Sequence, residues 1–289
     1  MRETALTASR RILGHLLEAR TGQILTESRS WRVEVALGPV LKAHRLPGLD
    51  ALVAMVAADP GGAAAADAVH ALLNNETSFF RDAAVFRMIG DDVLPRLAAR
   101  AADQGDRPIR AWSLGCSTGQ EPYSLAMTFR NAGLPKRGAR LDILATDVSR
   151  TAVMRARAGA FDRTEVQRGL SAGDLVRWFE RQGACEAENW RIAPAVRGMV
   201  DFRIDNLFDD SVPAGPFDLI LCRNVLLYFS PERRQRLFGI LARHSAPGSV
   251  LLLGAGEAVV GQADAFVASK DLRGAYERVS VPEDDGQGG

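Results

Sequence analysis

Between Ser113 and Ser124 the chain reads SLGCSTGQEPYS. Within it, Gly115-Cys116-Ser117-Thr118-Gly119 matches G-x-S-x-G, the turn that presents a nucleophilic serine in one class of hydrolases. The same five residues would equally form a glycine turn that lets a nucleotide-like cofactor approach the backbone at a helix N-terminus. The first arrangement would perform acyl transfer through Ser117; the second would hold a ligand. A hydrolase elbow follows several strands and needs a triad histidine after the last core strands. Here only helical sequence precedes the loop. His15, His44 and His70 lie in that helical region, and His244 ends a helix before a core strand, so none is placed to serve Ser117.

A cofactor cradle accounts for more residues at once, with Gly115 and Gly119 supplying the close approach. Neither G-x-G-x-x-G nor G-x-x-x-x-G-K-[ST] is present, which argues for a ligand without phosphates. Asp147, in ATDVS, ends a second strand 28 positions after Gly119, where a carboxylate can accept hydrogen bonds from both hydroxyls of a ribose. A glycine loop, a ribose carboxylate and no phosphate site together point to S-adenosylmethionine. Glu121 could face the cationic amino group of its methionine moiety or stabilise the dipole of the helix it begins, and residue types alone leave both open.

Three further groups could do chemistry. In NNETSFFR, Asn75, Thr77 and Arg81 would face a cleft while two phenylalanines pack, unless the stretch is merely a helix cap. Asn206 and Leu207 close a third strand at the carboxyl edge, where open sheets bind ligands, or form a simple strand-end turn. CRNVLLYF carries Arg223 and Asn224 to the same edge, and burying those two for structure alone would be costly.

The elements that must position these residues read as two parts. Residues 1–73 show apolar positions at helical spacing, as in Ile12, Leu16, Leu17 and Leu49, Leu52, Val53, Val56. A domain of three or four helices is expected, broken at Thr21-Gly22, Gly38-Pro39, Leu46-Pro47-Gly48 and Pro60-Gly61-Gly62. Residues 74–289 alternate short apolar runs with amphipathic stretches, the pattern of a doubly wound, Rossmann-like α/β sheet. Strands are expected at Ile109–Gly115, Leu141–Asp147, Met199–Leu207, from Phe217, and at SVLLLGAG. A small antiparallel β insert is expected over 161–198 and a disordered tail over 282–289.

Bulk composition narrows the function classes. No run approaches the ~18 apolar residues of a membrane span, and the N-terminus lacks a secretory leader, so a cytoplasmic protein without membrane insertion is expected. Cys116, Cys185 and Cys222 are too few and too scattered for a disulfide framework or a zinc site, and no metal is expected. With 36 basic against 35 acidic residues, nothing favours a nucleic-acid partner.

In combination, NNETSFFRD, WSLGCSTGQEPYSLAM, ATDVS, FRIDNL and FDLILCRNVLLYF, in this order and spacing, resemble the CheR-type chemoreceptor methyltransferases. The resemblance implies transfer of methyl from S-adenosylmethionine to glutamate side chains of chemotaxis receptors, giving γ-carboxyl methyl esters and S-adenosylhomocysteine. It further implies that Asn75, Thr77, Arg81, Glu121, Asp147, Asn206, Leu207, Arg223 and Asn224 line the cofactor, with Arg81 and Tyr228 catalytic, near the transferred methyl. The partner would be the cytoplasmic domain of a receptor, and the enzyme a monomer. Two alternatives are the same chemistry on a non-receptor acceptor and a regulatory module that binds the cofactor without turnover. Family members commonly dock on receptors through an arginine-rich helix; here Arg29, Arg32, Lys42 and Arg45 are interrupted by Glu34 and Gly38-Pro39. LLLGAGEAV also stands where the family often has Gly-His-Ser-Glu.

Overall fold

The computed structural model describes residues 2–25, 32–183, 189–209, 215–259 and 264–279. Arg29, Cys185 and the expected tail at 282–289 lie outside the described residues.

Among the described residues four helices come first: α1 (Arg2–Thr21), α2 (Val33–Ala43), α3 (Leu49–Ala58) and α4 (Ala63–Leu72). Their apolar stripes close on one another around Leu13, Leu37, Leu52, Ala65 and Ala68. The alanine-rich start of α4 is therefore a packing face. The break expected at Gly38-Pro39 does not occur, because α2 runs through Pro39. Leu37 and Val40 on either side are buried in the bundle, while Pro39 and Val35, the residue four positions earlier, are exposed. The carbonyl that proline leaves unpaired is thus on the water side, and burial of the opposite face keeps the helix intact.

The second part starts with α5 (Ala83–Met88), a π-helical turn at Ile89–Val93 and α6 (Leu94–Asp103). There follow β1 (Ile109–Leu114), α7 (Gln120–Asn131), β2 (Leu141–Asp147) and α8 (Arg150–Ala158), the last capped by the Ser149 hydroxyl. An insert contains β3 (Ala160–Asp162), α9 (Arg163–Gln167), α10 (Ala172–Trp178), β4 (Phe179–Gln182), β5 (Asn189–Ile192) and α11 (Pro194–Arg197). The chain returns through β6 (Val200–Ile204), β7 (Phe217–Cys222), α12 (Pro231–Arg243), β8 (Ser245–Leu253), β9 (Phe266–Ala268) and β10 (Ala275–Arg278).

The seven main strands take the order β6-β2-β1-β7-β8-β10-β9. The first five are parallel; β10 runs antiparallel to β8, and β9 antiparallel to β10. One face packs on Phe86, Leu97, Leu125 and Phe129, the other on Trp112, Leu237, Phe238 and Leu241. Covering both faces explains why β7 is buried at every position and reads as a continuous apolar run. In the insert, β3, β5 and β4 form the expected small antiparallel sheet. Phe79 anchors it edge-on to Phe161 at 4.9 Å and Phe179 at 5.5 Å between centroids.

β1 and β2 change direction at their carboxyl ends beside the loops that the sequence singles out, so both loops open on one edge. The helical domain reaches that edge too. The Ile24 N–H donates to the Tyr228 carbonyl at 2.8 Å, and the Asn206 amide donates to the Arg20 carbonyl at 3.2 Å.

The opposite edge is held by charge. Asp218, with its side chain 3% exposed, accepts hydrogen bonds from both Arg107 Nη atoms at 2.7 and 2.8 Å, from the Arg110 N–H at 2.9 Å, and from Arg100. Burial alone would raise the Asp218 carboxyl; Arg107, the Arg110 N–H and Arg100 together hold it below its ordinary value. Asp218→Ala is expected to cost about 3 kcal/mol in denaturant unfolding, the low end for a broken buried pair because both arginines keep some water. With the folded pKa depressed, this contribution is present above about pH 4 and is lost as pH falls through the folded value, which acid unfolding of wild type against Asp218→Ala will show.

Candidate functional site

The loop between β1 and α7 is built on left-handed backbone. Gly115 has φ +64°, and a Cβ there would stand 2.8 Å from Val225 Cγ2. Gly119 has φ +96°, and a Cβ there would crowd Ala156 at 3.0 Å and Phe202 and Tyr123 at 3.2 Å. Both glycines therefore permit close approach of the chain's own groups, and Gly119 serves helix packing. Between them Ser117 is also left-handed, at φ +51°. Its N–H donates to Asp147 Oδ2 at 2.8 Å and its hydroxyl donates to the Asn75 carbonyl at 2.7 Å. That hydroxyl is a brace between two motifs, with no histidine bonded to it.

Asp147 ends β2, where its other oxygen accepts the Ser149 N–H at 2.8 Å. Burial raises this carboxyl above its ordinary value, opposed by the two N–H groups. Each oxygen holds one donor and can accept another, the capacity that a ribose diol would use. Glu121, in the first turn of α7, accepts the Ser113 hydroxyl at 2.9 Å and Arg223 Nη1 at 3.2 Å. Burial raises its carboxyl, against the pull of Arg223, Ser113 and Arg81. Arg223, 5% exposed, also donates to the Arg81 carbonyl at 3.0 Å, pairs with Asp82 and lies over the Phe86 ring at 5.6 Å. Neither alternative held open for Glu121 foresees this internal ion pair. Cys116 and Cys222 are buried, with thiols pushed well above their ordinary value first by burial and then by nearby carboxylates, so neither is a nucleophile.

Arg223 leads into a turn in which Asn224 is left-handed at φ +59° and Leu226–Tyr228 form a 3₁₀ turn. The Tyr228 hydroxyl accepts the Asn74 amide at 2.5 Å. Asn206 and Leu207 lie in the turn after β6, since that strand stops at Ile204. Asn206 is engaged with Arg20 and Asp209. Asn75 and Thr77 line a cavity of about 560 Å³ together with Thr118, Gln120, Thr151 and Arg168, whereas Glu121, Asp147, Arg223 and Asn224 do not line it. The exposed Arg81 side chain makes no hydrogen bond or ion pair with the described residues, though its charge is felt by Glu121. Among the described residues no three acidic, histidine or cysteine side chains cluster as a metal site.

The sequence of the second domain matches the family described as CheR methyltransferase, SAM binding domain, over residues 75–274. The chain belongs to the CheR methyltransferase family. It is 37% identical over 268 residues to the chemotaxis protein methyltransferase of Vibrio parahaemolyticus, covering 91% of this chain and 94% of that one. Against chemotaxis protein methyltransferase Cher2 of Pseudomonas putida it is 36% identical, covering 86% and 90% of the two chains. Chemotaxis protein methyltransferase 1 of Pseudomonas aeruginosa gives 37%, with 84% and 87% covered. The cofactor is therefore S-adenosylmethionine, and the activity is that of a CheR-type protein-glutamate methyltransferase. No helix among the described residues is long and apolar enough to cross a membrane.

Of the basic residues singled out in the sequence, Arg32 precedes α2 without a side-chain capping bond, Lys42 lies in its last turn and Arg45 stands beyond its end at φ +55°. Sequence reasoning missed Ser113, Asp82, Asn74 and Glu257. The first three adjoin quoted motif residues, and Glu257 follows the Gly-Ala-Gly that comes after β8; nothing local marks them as partners of distant groups. Gly115→Val is expected to displace the Val225 turn and weaken S-adenosylhomocysteine binding at least about tenfold by calorimetry. Ser117→Ala removes one hydrogen bond, worth about 1 kcal/mol, and should leave methyl transfer within tenfold of wild type.

Proposed function

We propose that the carboxyl edge holds S-adenosylmethionine between Gly115 and Asp147 and presents it to a glutamate of a chemoreceptor's cytoplasmic domain. Asp147 takes the ribose hydroxyls; Asn75, Thr77, Arg81, Glu121, Asn206, Leu207, Arg223 and Asn224 line the cofactor. The observation that carries this is the single buried guanidinium of Arg223, which ties the Arg81 carbonyl at 3.0 Å to Glu121 at 3.2 Å and sits five residues before Tyr228. Three motifs far apart in sequence are thereby joined where methyl and acceptor must meet.

Bound there, the cofactor supplies a methyl group on a sulfonium, which a carboxylate oxygen displaces to leave S-adenosylhomocysteine and a glutamyl methyl ester. Such a displacement needs alignment and water exclusion more than a base, which fits a site whose cysteines are protonated and whose serine is a brace. Arg81, exposed in the structure, orients the incoming carboxylate by a charge-assisted hydrogen bond, with Tyr228 beside it. Too strong a pairing would slow the step, since the carboxylate loses charge in the transition state. The helical domain, residues 1–73, faces the receptor, and residues 74–289 perform the transfer. The enzyme acts in the cytoplasm as a monomer and takes neither nucleic acid nor membrane as partner.

Incubation with methyl-labelled cofactor and chemoreceptor membranes should place base-labile label on receptor glutamates; base-stable label would overturn esterification. Arg81→Ala should lower the rate more than about tenfold with cofactor affinity within threefold, and an unchanged rate would sink its role. Because burial raises both Glu121 and Asp147, cofactor affinity should weaken on acidification already above the ordinary carboxylate range of about 4. A raised folded pKa gives a relative gain in fold stability as pH falls, so titration of affinity beside a thermal melt separates this loss from unfolding.

A further inference from the structure

Glu257 lies in the turn after β8, and its carboxylate gathers three backbone donors. Oε2 accepts the N–H of Asn224 and of Gly254, each at 2.8 Å, and Oε1 accepts the N–H of Leu226 at 2.9 Å. These donors come from two segments about thirty residues apart. The approach is so close that a Cβ at Gly254 would stand 2.7 Å from both the Asn224 nitrogen and Glu257 Oε2. Asn224 needs such a restraint, since a non-glycine residue at φ +59° is held there against its own preference. Asn224 and Leu226 bracket Val225, whose methyl rests where Gly115 has no side chain, and Leu226 opens the 3₁₀ turn that ends at Tyr228.

We propose that Glu257 is a positioning residue for methyl transfer, whose carboxylate fixes the turn from Arg223 to Tyr228. It touches neither acceptor nor cofactor; it sets where Val225 meets the glycine loop and where the Tyr228 ring stands. This rests on the assignment of that turn to the site. A carboxylate suits the task because all three partners are donors and each bond is charge-assisted. An amide offers one acceptor oxygen and turns its own NH₂ toward N–H groups, losing at least one of the three bonds.

The test uses the full chain, with Glu257→Gln, Tyr228→Phe and the double variant, measured for thermal midpoint, S-adenosylhomocysteine affinity and kcat on chemoreceptor membranes. Glu257→Gln should stay folded yet lose at least about tenfold in kcat, and the loss should shrink to under threefold in the Tyr228→Phe background, because both changes act on one turn. A kcat within twofold of wild type, or the same fold-loss in both backgrounds, overturns the proposal; a merely stabilising carboxylate would give the latter. Should Glu257→Gln not fold, Glu257→Asp, which keeps the charge but withdraws it by one methylene, takes its place with the same expectations. If Tyr228→Phe alone leaves kcat unchanged, the assignment of Tyr228 fails instead. Glu257 is then judged on affinity, a tenfold weakening supporting it and an unchanged value overturning it.

Discussion

A buried guanidinium has to be surrounded, and the surroundings that Arg223 collects determine how the carboxyl edge is assembled. Removing an arginine from water is strongly unfavourable unless its donors are used. Here two carboxylates, Glu121 and Asp82, and one carbonyl take three hydrogen bonds from the two Nη atoms while the Phe86 ring covers a face, and the buried Nε has no partner among the described residues. The partners come from two segments: the first turn of α7 supplies Glu121, and the approach to α5 supplies both Asp82 and the Arg81 carbonyl. The approach to α5 is bent for the purpose, with Phe80 at φ +47° and Asp82 at φ +60°. Strain of that kind persists only where surrounding contacts over-determine it, and such contacts are what the ion pairs provide.

The same economy of contact runs through the glycine loop. Gly115 makes room for Val225, Gly119 for the crowded junction of α7, α8 and β6, and Gly254 for the Asn224 backbone. Loop, turn and strand end are thus pressed against one another because these three positions carry no side chain. A loop in this state has few alternative conformations, so the N–H of Ser117 and the carboxylate of Asp147 are aimed before any ligand arrives.

Much of this was legible from residue types alone. The apolar runs of β1, β2 and β7 announce a sheet covered on both faces, and Asp147 and the Gly115 loop are local patterns with a physical meaning. What escaped was of three kinds. Arg223 and Glu121 are 102 residues apart, and no local pattern pairs them. Pro39 reads as a helix break, yet it lies on the exposed face of α2, where tertiary burial of Leu37 and Val40 outweighs propensity. The edge strand β9 and its neighbour β10 have three and four residues, too short to show alternation.

The bond from the Ile24 N–H to the Tyr228 carbonyl has a consequence for what counts as a separable unit. Gly22, left-handed at φ +77°, lies so close to Phe208 that a Cβ would stand 2.7 Å from the ring, and Arg233 and Arg236 close over that ring. The end of α1 is thereby fastened to the sheet, and Tyr228 is held from the helical side through its carbonyl and by Asn74, just beyond the helices, through its hydroxyl. A fragment cut at the start of the sheet domain would keep every strand and lose the outer wall beside its tyrosine. A displacement of the end of α1 is therefore passed, through the Ile24–Tyr228 hydrogen bond and the contact of Gly22 with Phe208, to the turn after β7.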